Sequence, residues 1–187
     1  MTDFLKYCNQ LSPLEKETAD ELVIKLKTKT FQKGDYILRS GDVCRNLLFV
    51  DKGLVKLCFT TEDKEFIMRF FPENALFTLL DSYLTQTPST YEIICLETTT
   101  ITSIRNDEME LLCKKHHSME RFFRKLVSLA ALNMMKRISE MLEENATQRY
   151  KHFVEENNHL LQRISLGDLA SYLGITQVSL SRIRAKK

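Results

Sequence analysis

Several things are scarce in this chain, and each scarcity removes a class of protein. No uncharged apolar run comes near the roughly 20 residues that a bilayer-spanning helix needs. The first ten residues, MTDFLKYCNQ, carry charges where an export signal would need an apolar stretch. A cytoplasmic protein without a membrane partner is expected. The five cysteines (Cys8, Cys44, Cys58, Cys95, Cys113) are odd in number, scattered, and never in C-x-x-C spacing, which argues against a disulfide framework and a zinc knuckle. None of the four histidines (His116, His117, His152, His159) precedes Arg105. The β-rich first half therefore has no imidazole with which to build a cupin-type metal site. No nucleophile–base pair is visible either, so neither enzyme activity nor a cofactor or metal is expected. Glycine is rare, at five residues.

At 187 residues the chain is long enough for one large domain or two small ones with a core that needs no disulfides. Charge is nearly balanced, 27 basic against 25 acidic residues, but unevenly spread. From Ala146 onward there are seven basic residues (Arg149, Lys151, Arg163, Arg182, Arg184, Lys186, Lys187) against Glu155, Glu156 and Asp168. A basic end on a mildly acidic body fits contact with a polyanion.

Ser12-Pro13 with Glu15 reads as the start of an amphipathic helix over Ser12 to Leu26, with Leu14, Leu22, Val23 and Leu26 on its apolar side. From Thr28 to Ser103 the chain turns into short segments rich in β-branched and aromatic residues: Leu47–Val50, Leu54–Phe59, Phe66–Phe71, Tyr91–Leu96 and a last strand over Glu97 to Ile104. Three of the five glycines punctuate them, at Lys33-Gly34-Asp35, Ser40-Gly41-Asp42 and Asp51-Lys52-Gly53, as tight turns with φ > 0 require. Strands at this spacing predict a sandwich or barrel. A short helix follows over Asp107 to Lys114. A long one, free of glycine and proline, spans Met119 to Leu142. It carries two apolar stripes: Phe123, Val127, Ala130, Met134 and Met141; and Phe122, Leu126, Leu129, Ile138 and Leu142. A helix apolar on two sides must be covered on two sides, one by the β-rich part and the other by the same helix of a second subunit. After a polar connector comes a helical stretch around Tyr150 to Val154, and Glu155 to Asn158 reads as a loop.

The most informative segment is SLGDLASYLGITQVSLSRIR, Ser165 to Arg184. Two short helical patterns meet at Gly174, with small Ala170 four residues before it. Leu166, Leu169, Leu173, Ile175, Leu180 and Ile183 supply a local core. Ser165 with Asp168 is an S-x-x-D start signal, and Thr176 is placed to cap the second helix. Gln177, Ser179, Arg182 and Arg184 are left facing outward. In a helix-turn-helix such a second helix lies in the DNA major groove.

In this order, the features resemble the Crp/Fnr family of bacterial transcription regulators over nearly the full length. FQKGDYILRSGDVCRNLLFVDKGLVKL (Phe31 to Leu57) resembles the opening turns of a cyclic-nucleotide-binding β-barrel, and ISLGDLASYLGITQVSLSRIR resembles that family's helix-turn-helix. The implied fold is α+β: an N-terminal double-stranded β-helix (cupin-like jelly-roll) barrel over 1–118 with flanking helices, a dimerisation helix over 119–145, and a winged-helix-type DNA-binding domain over 146–187. The implied partners are a near-palindromic double-stranded operator, a second copy bound through the 119–142 helix, and RNA polymerase. The effector is unknown.

The resemblance also assigns residues. Ser165 sits at a helix start that contacts phosphate in family members, where free N–H groups favour an anion. Gln177 and Val178 stand where the best-studied members have arginine and glutamate. Gln177 suits an adenine edge and Val178 a thymine methyl, which points to an A/T-richer half-site. Arg182 matches an arginine that reads bases. Thr176 and Ser179 are assigned to phosphates, and Arg184 and Lys186 to phosphate or solvent. The nucleotide cassette of the family is incomplete here: no Gly-Glu pair follows Phe71, and Ser89, beside Thr90, stands in place of the arginine that pairs the cyclic phosphate. Cyclic AMP is therefore not the expected ligand. Phe77 and Tyr83 are candidates to fill the pocket, with Ser89 and Thr90 at its polar side. An iron–sulfur sensor would need an N-terminal cysteine cluster, and only Cys8 lies there. Cys44, Cys58 and Cys95 are read as buried apolar residues in preference to redox switches. The alternative function is a ligand-binding or protein-interaction module whose terminal hairpin has lost operator contact.

Overall fold

The computed structural model describes residues 2–62 and 64–185. Two helices, α1 (Asp3–Leu11) and α2 (Lys16–Lys25), precede eight strands: β1 (Lys27–Phe31), β2 (Tyr36–Leu38), β3 (Asn46–Lys52), β4 (Val55–Thr61), β5 (Lys64–Phe71), β6 (Leu76–Phe77), β7 (Glu92–Cys95) and β8 (Thr99–Arg105). Helix α3 (Leu80–Thr85) lies between β6 and β7. After β8 come α4 (Asn106–Lys115), α5 (His117–Glu143), α6 (Ala146–Asn157), a 3-10 turn (Asn158–Leu160), α7 (Leu166–Leu173) and α8 (Gln177–Ala185).

The strands form two antiparallel four-stranded sheets, ordered β1-β8-β3-β6 and β2-β7-β4-β5. This is a jelly-roll-like pair of open sheets and not the closed barrel expected from the sequence. The ladders stop at short strands, β6 with two residues and β2 with three. The exposed edge strand β1 carries Lys27 and Lys29, charges that discourage further pairing. Between the sheets lies a core of Leu38, Leu48, Val50, Val55, Phe77, Ile93, Cys95 and Ile101. A second core joins α1, α2, α4 and the start of α5 to the first sheet through Phe4, Leu22, Leu47, Phe49, Met109, Leu112, Met119, Phe122 and Leu126.

The helix expected from Ser12 starts at Lys16. Ser12 closes α1, its backbone N–H donating to the Cys8 carbonyl, and Asn9 Oδ1 accepts from Leu14 N at 2.9 Å to shape the link between the helices. Helix α1, capped by Thr2, has no counterpart among the sequence expectations. The loop expected over Glu155 to Asn158 is helical as far as Asn157. Its helix starts at a reciprocal Asn145–Gln148 capping box, and Tyr150 and Phe153 hold the inner face. The expected last strand begins two residues late, at Thr99, because Glu97 lies in a turn bonded to a distant arginine. Among the described residues no strand follows β8, so the sheet of a winged domain is not found there.

Helix α5 changes surroundings along its 27 residues. Met119, Phe122 and Leu126 are buried. Beyond them Leu132, Met134, Met135 and Ile138 are more than half exposed, and Leu142 is 81% exposed. The β-rich part thus covers only the first portion of the helix.

Candidate nucleic-acid interface

The unit formed by α7 and α8 is built locally. At its start Ser165 Oγ accepts from Asp168 N at 2.9 Å, while Asp168 Oδ2 accepts from Ser165 N at 3.3 Å, a capping box that satisfies two free donors. Helix α7 ends at Gly174 with φ 69° and ψ 28°, the left-handed conformation that glycine adopts without a side-chain penalty. The Ile175 N–H reaches back to the Ala170 carbonyl at 3.0 Å. Thr176 then caps α8, its Oγ1 accepting from Ser179 N at 3.2 Å. Leu169, Ala170, Leu173 and Leu180 face inward and are buried.

The opposite side of α8 is open. Thr176, Gln177, Val178, Arg182 and Arg184 are exposed, Val178 by 61%, and Ser179 is half-buried. Lys186, also expected to contact nucleic acid, lies outside the described residues. Ser165 is exposed too, but its hydroxyl donates to the Asp168 carboxylate at 2.6 Å, and that carboxylate is itself paired to Lys56 Nζ at 2.9 Å.

The inner side of the unit packs on the outer face of the second sheet. Leu54, Cys58, Ile67 and Phe70 meet Tyr150, Phe153, Leu160, Leu169, Leu173 and Leu180 in one apolar cluster. Phe70, Phe153 and Tyr172 form a ring triad with centroids 5.1–6.2 Å apart. Two ionic contacts frame it. Lys56 bridges Glu65 at 2.8 Å and Asp168 at 2.9 Å. Burial acts to lower the lysine, but the two carboxylates outweigh it and hold its pKa above the ordinary value. Arg163, just before α7, donates to both oxygens of Glu73 (2.9 and 2.8 Å) and both of Glu97 (3.3 and 2.6 Å). Burial would raise Glu73, yet Arg163, aided by the Gly53 N–H, holds it down at about 2. Two further arginines close the end of α7. Arg137 lies 4.0 Å over the Tyr172 ring and donates to the Tyr172 carbonyl; Arg149 donates to the Leu173 carbonyl at 3.2 Å.

This alters the charge reading. Arg149 and Arg163, counted from sequence toward a polyanion contact, are engaged inside the chain. None of Lys56, Glu73, Glu97 or Arg163 stands out in the sequence for this role. Arg163 is 90 residues from Glu73 and 66 from Glu97, and no local pattern connects such positions.

The expected pocket residues do not converge. Phe77 is between the sheets, stacked on Phe71 with centroids 3.8 Å apart. Tyr83 belongs instead to the core beneath α4 and α5, its ring 6.1 Å from that of Phe123, so it does not fill the sandwich interior. Ser89 is buried with Oγ accepting from Tyr91 N at 3.0 Å, and Thr90 is exposed. A cavity of about 420 Å³ is lined by Ile37, Leu38, Leu48 and the 41–46 segment, and by none of these four. No group of three potential metal ligands occurs among the described residues. Burial pushes the thiols of Cys58 and Cys95 up to about 12 and about 11, so neither is a thiolate at neutral pH.

Residues 28–116 match the cyclic nucleotide-binding domain family. No curated protein matches the sequence as a relative. Among solved structures, the chain is similar to the c-di-GMP-responsive global regulator CLP of Xanthomonas campestris, at 15% identity and a TM-score of 0.72, covering 92% of this chain and 91% of that one. FixK2 of Bradyrhizobium japonicum gives 16% identity and 0.73, over 86% and 83%. A CooA variant of Carboxydothermus hydrogenoformans gives 15% and 0.69, over 88% and 77%. Residues 28–116 are thus similar to a cyclic nucleotide-binding domain, and the chain shares its fold with these three regulators. No described helix is long and apolar enough to cross a membrane.

Proposed function

We propose that this protein is a sequence-specific DNA-binding transcription regulator of Crp/Fnr type, acting as a homodimer, with the reading unit in residues 146–187. The observation that carries the reading is the two-sidedness of α8. Leu180 is fully buried, while Gln177, Val178 and Arg182 stand exposed on the first turns of a capped helix after a left-handed glycine turn. A helix so presented enters the major groove with its N-terminal side chains at the base edges. Arg182 takes a guanine, Gln177 an adenine and Val178 a thymine methyl. Thr176, Ser179, Arg184 and Lys186 contact the backbone.

The exposed apolar length of α5 from Leu129 to Leu142 supports pairing with the same helix of a second copy, which makes the operator near-palindromic. RNA polymerase is the partner such a regulator addresses. The jelly-roll part serves as a sensor that does not take cyclic AMP, since Ser89 offers a hydroxyl already bonded to backbone where the phosphate needs a cation. The test is selection of bound duplexes from a random library, followed by binding across a salt series. A selected A/T-rich inverted repeat and a salt-dependent affinity are expected. No enrichment of any sequence overturns the reading.

A further inference from the structure

The fork at Arg163 has a geometry that packing alone does not require. Its guanidinium makes four hydrogen bonds to two carboxylates on separate turns, Glu73 between β5 and β6 and Glu97 between β7 and β8. Glu73 Oε1 also accepts the Gly53 N–H at 2.9 Å, which joins the β3–β4 turn to the same cluster. That third turn has no slack. A Cβ on Gly53, at φ 101°, would lie 2.5 Å from Thr99 Oγ1. Two turns of the sensor therefore meet the Arg163 side chain directly and a third joins them through Glu73, two residues before the Ser165 cap of α7. Lys56 makes the second anchor, from β4 to Asp168 on the first turn of α7.

Arg163, Glu73 and Glu97 keep 24–37% of their side-chain surface exposed, and ion pairs with such access to solvent add little to stability. What a planar two-point fork adds is direction. The apolar cluster under α7 is non-directional; the fork and the Lys56–Asp168 pair, both at the N-terminal end of the helix, are directional. The exposed side of α8 remains free throughout, so the contact orients the helix without covering it.

We propose that Arg163 is a positioning residue, a clip that fixes the angle of α8 on the sensor sheet and so sets the separation of the two reading helices in the dimer. This rests on the DNA-binding reading above. Two half-sites are engaged together only when the helices stand about one duplex turn, roughly 34–36 Å, apart. A loosened clip leaves each helix able to bind one half-site but removes the advantage of binding both. The charge of Arg163 is not sufficient, because lysine cannot make the paired fork.

The test compares a full duplex selected by this protein with the same duplex carrying one intact half. For Arg163→Gln, and separately for the Glu73→Gln/Glu97→Gln double variant, full-site affinity is expected to fall at least about tenfold while half-site affinity holds. Arg163→Lys should not restore the ratio. Combining Arg163→Gln with the double variant should add nothing further. Amide exchange in α7 is measured on the same proteins without DNA, and should quicken in each variant. An unchanged full-to-half ratio, or a parallel loss on both duplexes, overturns the clip. If the unaltered protein binds neither duplex, the DNA reading fails, and exchange in α7 decides the clip alone: unaltered protection overturns it.

Discussion

Helices α7 and α8 are neighbours of nearly equal length, eight and nine residues, yet they put their polar groups to opposite uses. On α7, Asp168 turns to Lys56, and the carbonyls of Tyr172 and Leu173 accept from Arg137 and Arg149. On α8 the polar groups from Gln177 to Arg184 have solvent in front of them and only Leu180 turned fully inward. One helix is a mount and the other presents an exposed edge, the one that the proposed function assigns to DNA. A two-helix unit can therefore be anchored in its own chain and still be available to a partner.

The comparison breaks most severely if the mount is hollowed out. Leu180→Ala should cost about 2–5 kcal/mol of folding stability and Phe153→Ala about 3–5, as truncations of buried side chains do, measured by the denaturant midpoint. The next effect separates the edge from the mount. Arg182→Ala should leave the melting temperature in place while costing roughly 1–3 kcal/mol of operator binding and relaxing choice at one base pair. Ile138→Glu, on the exposed part of α5, should shift the mass in light scattering from dimer to monomer with little loss of monomer helicity. Gly174→Ala, at φ 69° and with Met141 Cε 3.1 Å from the new Cβ, should destabilise the turn by about 1–2 kcal/mol. The smallest effect is one of pH. Glu73 titrates at about 2 in the folded chain against an ordinary 4.5. Its pairing with Arg163 is thus fully present above about pH 4.5 and is lost as pH falls toward 2. Exchange protection in α7 should decline over that window in the native sequence, and less in Glu73→Gln.

The same contrast explains what can be read in advance. The α7–α8 unit is legible because its determinants are local: a Ser165–Asp168 box, a glycine at the turn and a threonine cap lie close together along the chain. The strands of the sheets are legible from β-branched and aromatic runs between glycine turns. The two stripes of α5 are legible as well, although nothing in the pattern marks a boundary at Leu126 where the cover ends. Helix α1 escapes a reading that weighs the N-terminus only as a targeting segment, while Phe4, Leu5 and Cys8 form its buried side. The contacts that fasten the mount are invisible in the sequence. Arg163, Glu73, Glu97 and Lys56 are ordinary charged residues until the two sheets bring them together. Tyr83 is misplaced because nothing in the sequence says which side of a sheet a following helix will cover.

Photo-crosslinking tests the division between mount and edge most directly. A benzoylphenylalanine at position 178, on the exposed side of α8, is compared with one at position 155 on α6, using a duplex selected by the protein. Crosslinks to bases are expected from position 178 and none from position 155. Equal crosslinking from both positions, or none from position 178 on a duplex that is demonstrably bound, would contradict that division.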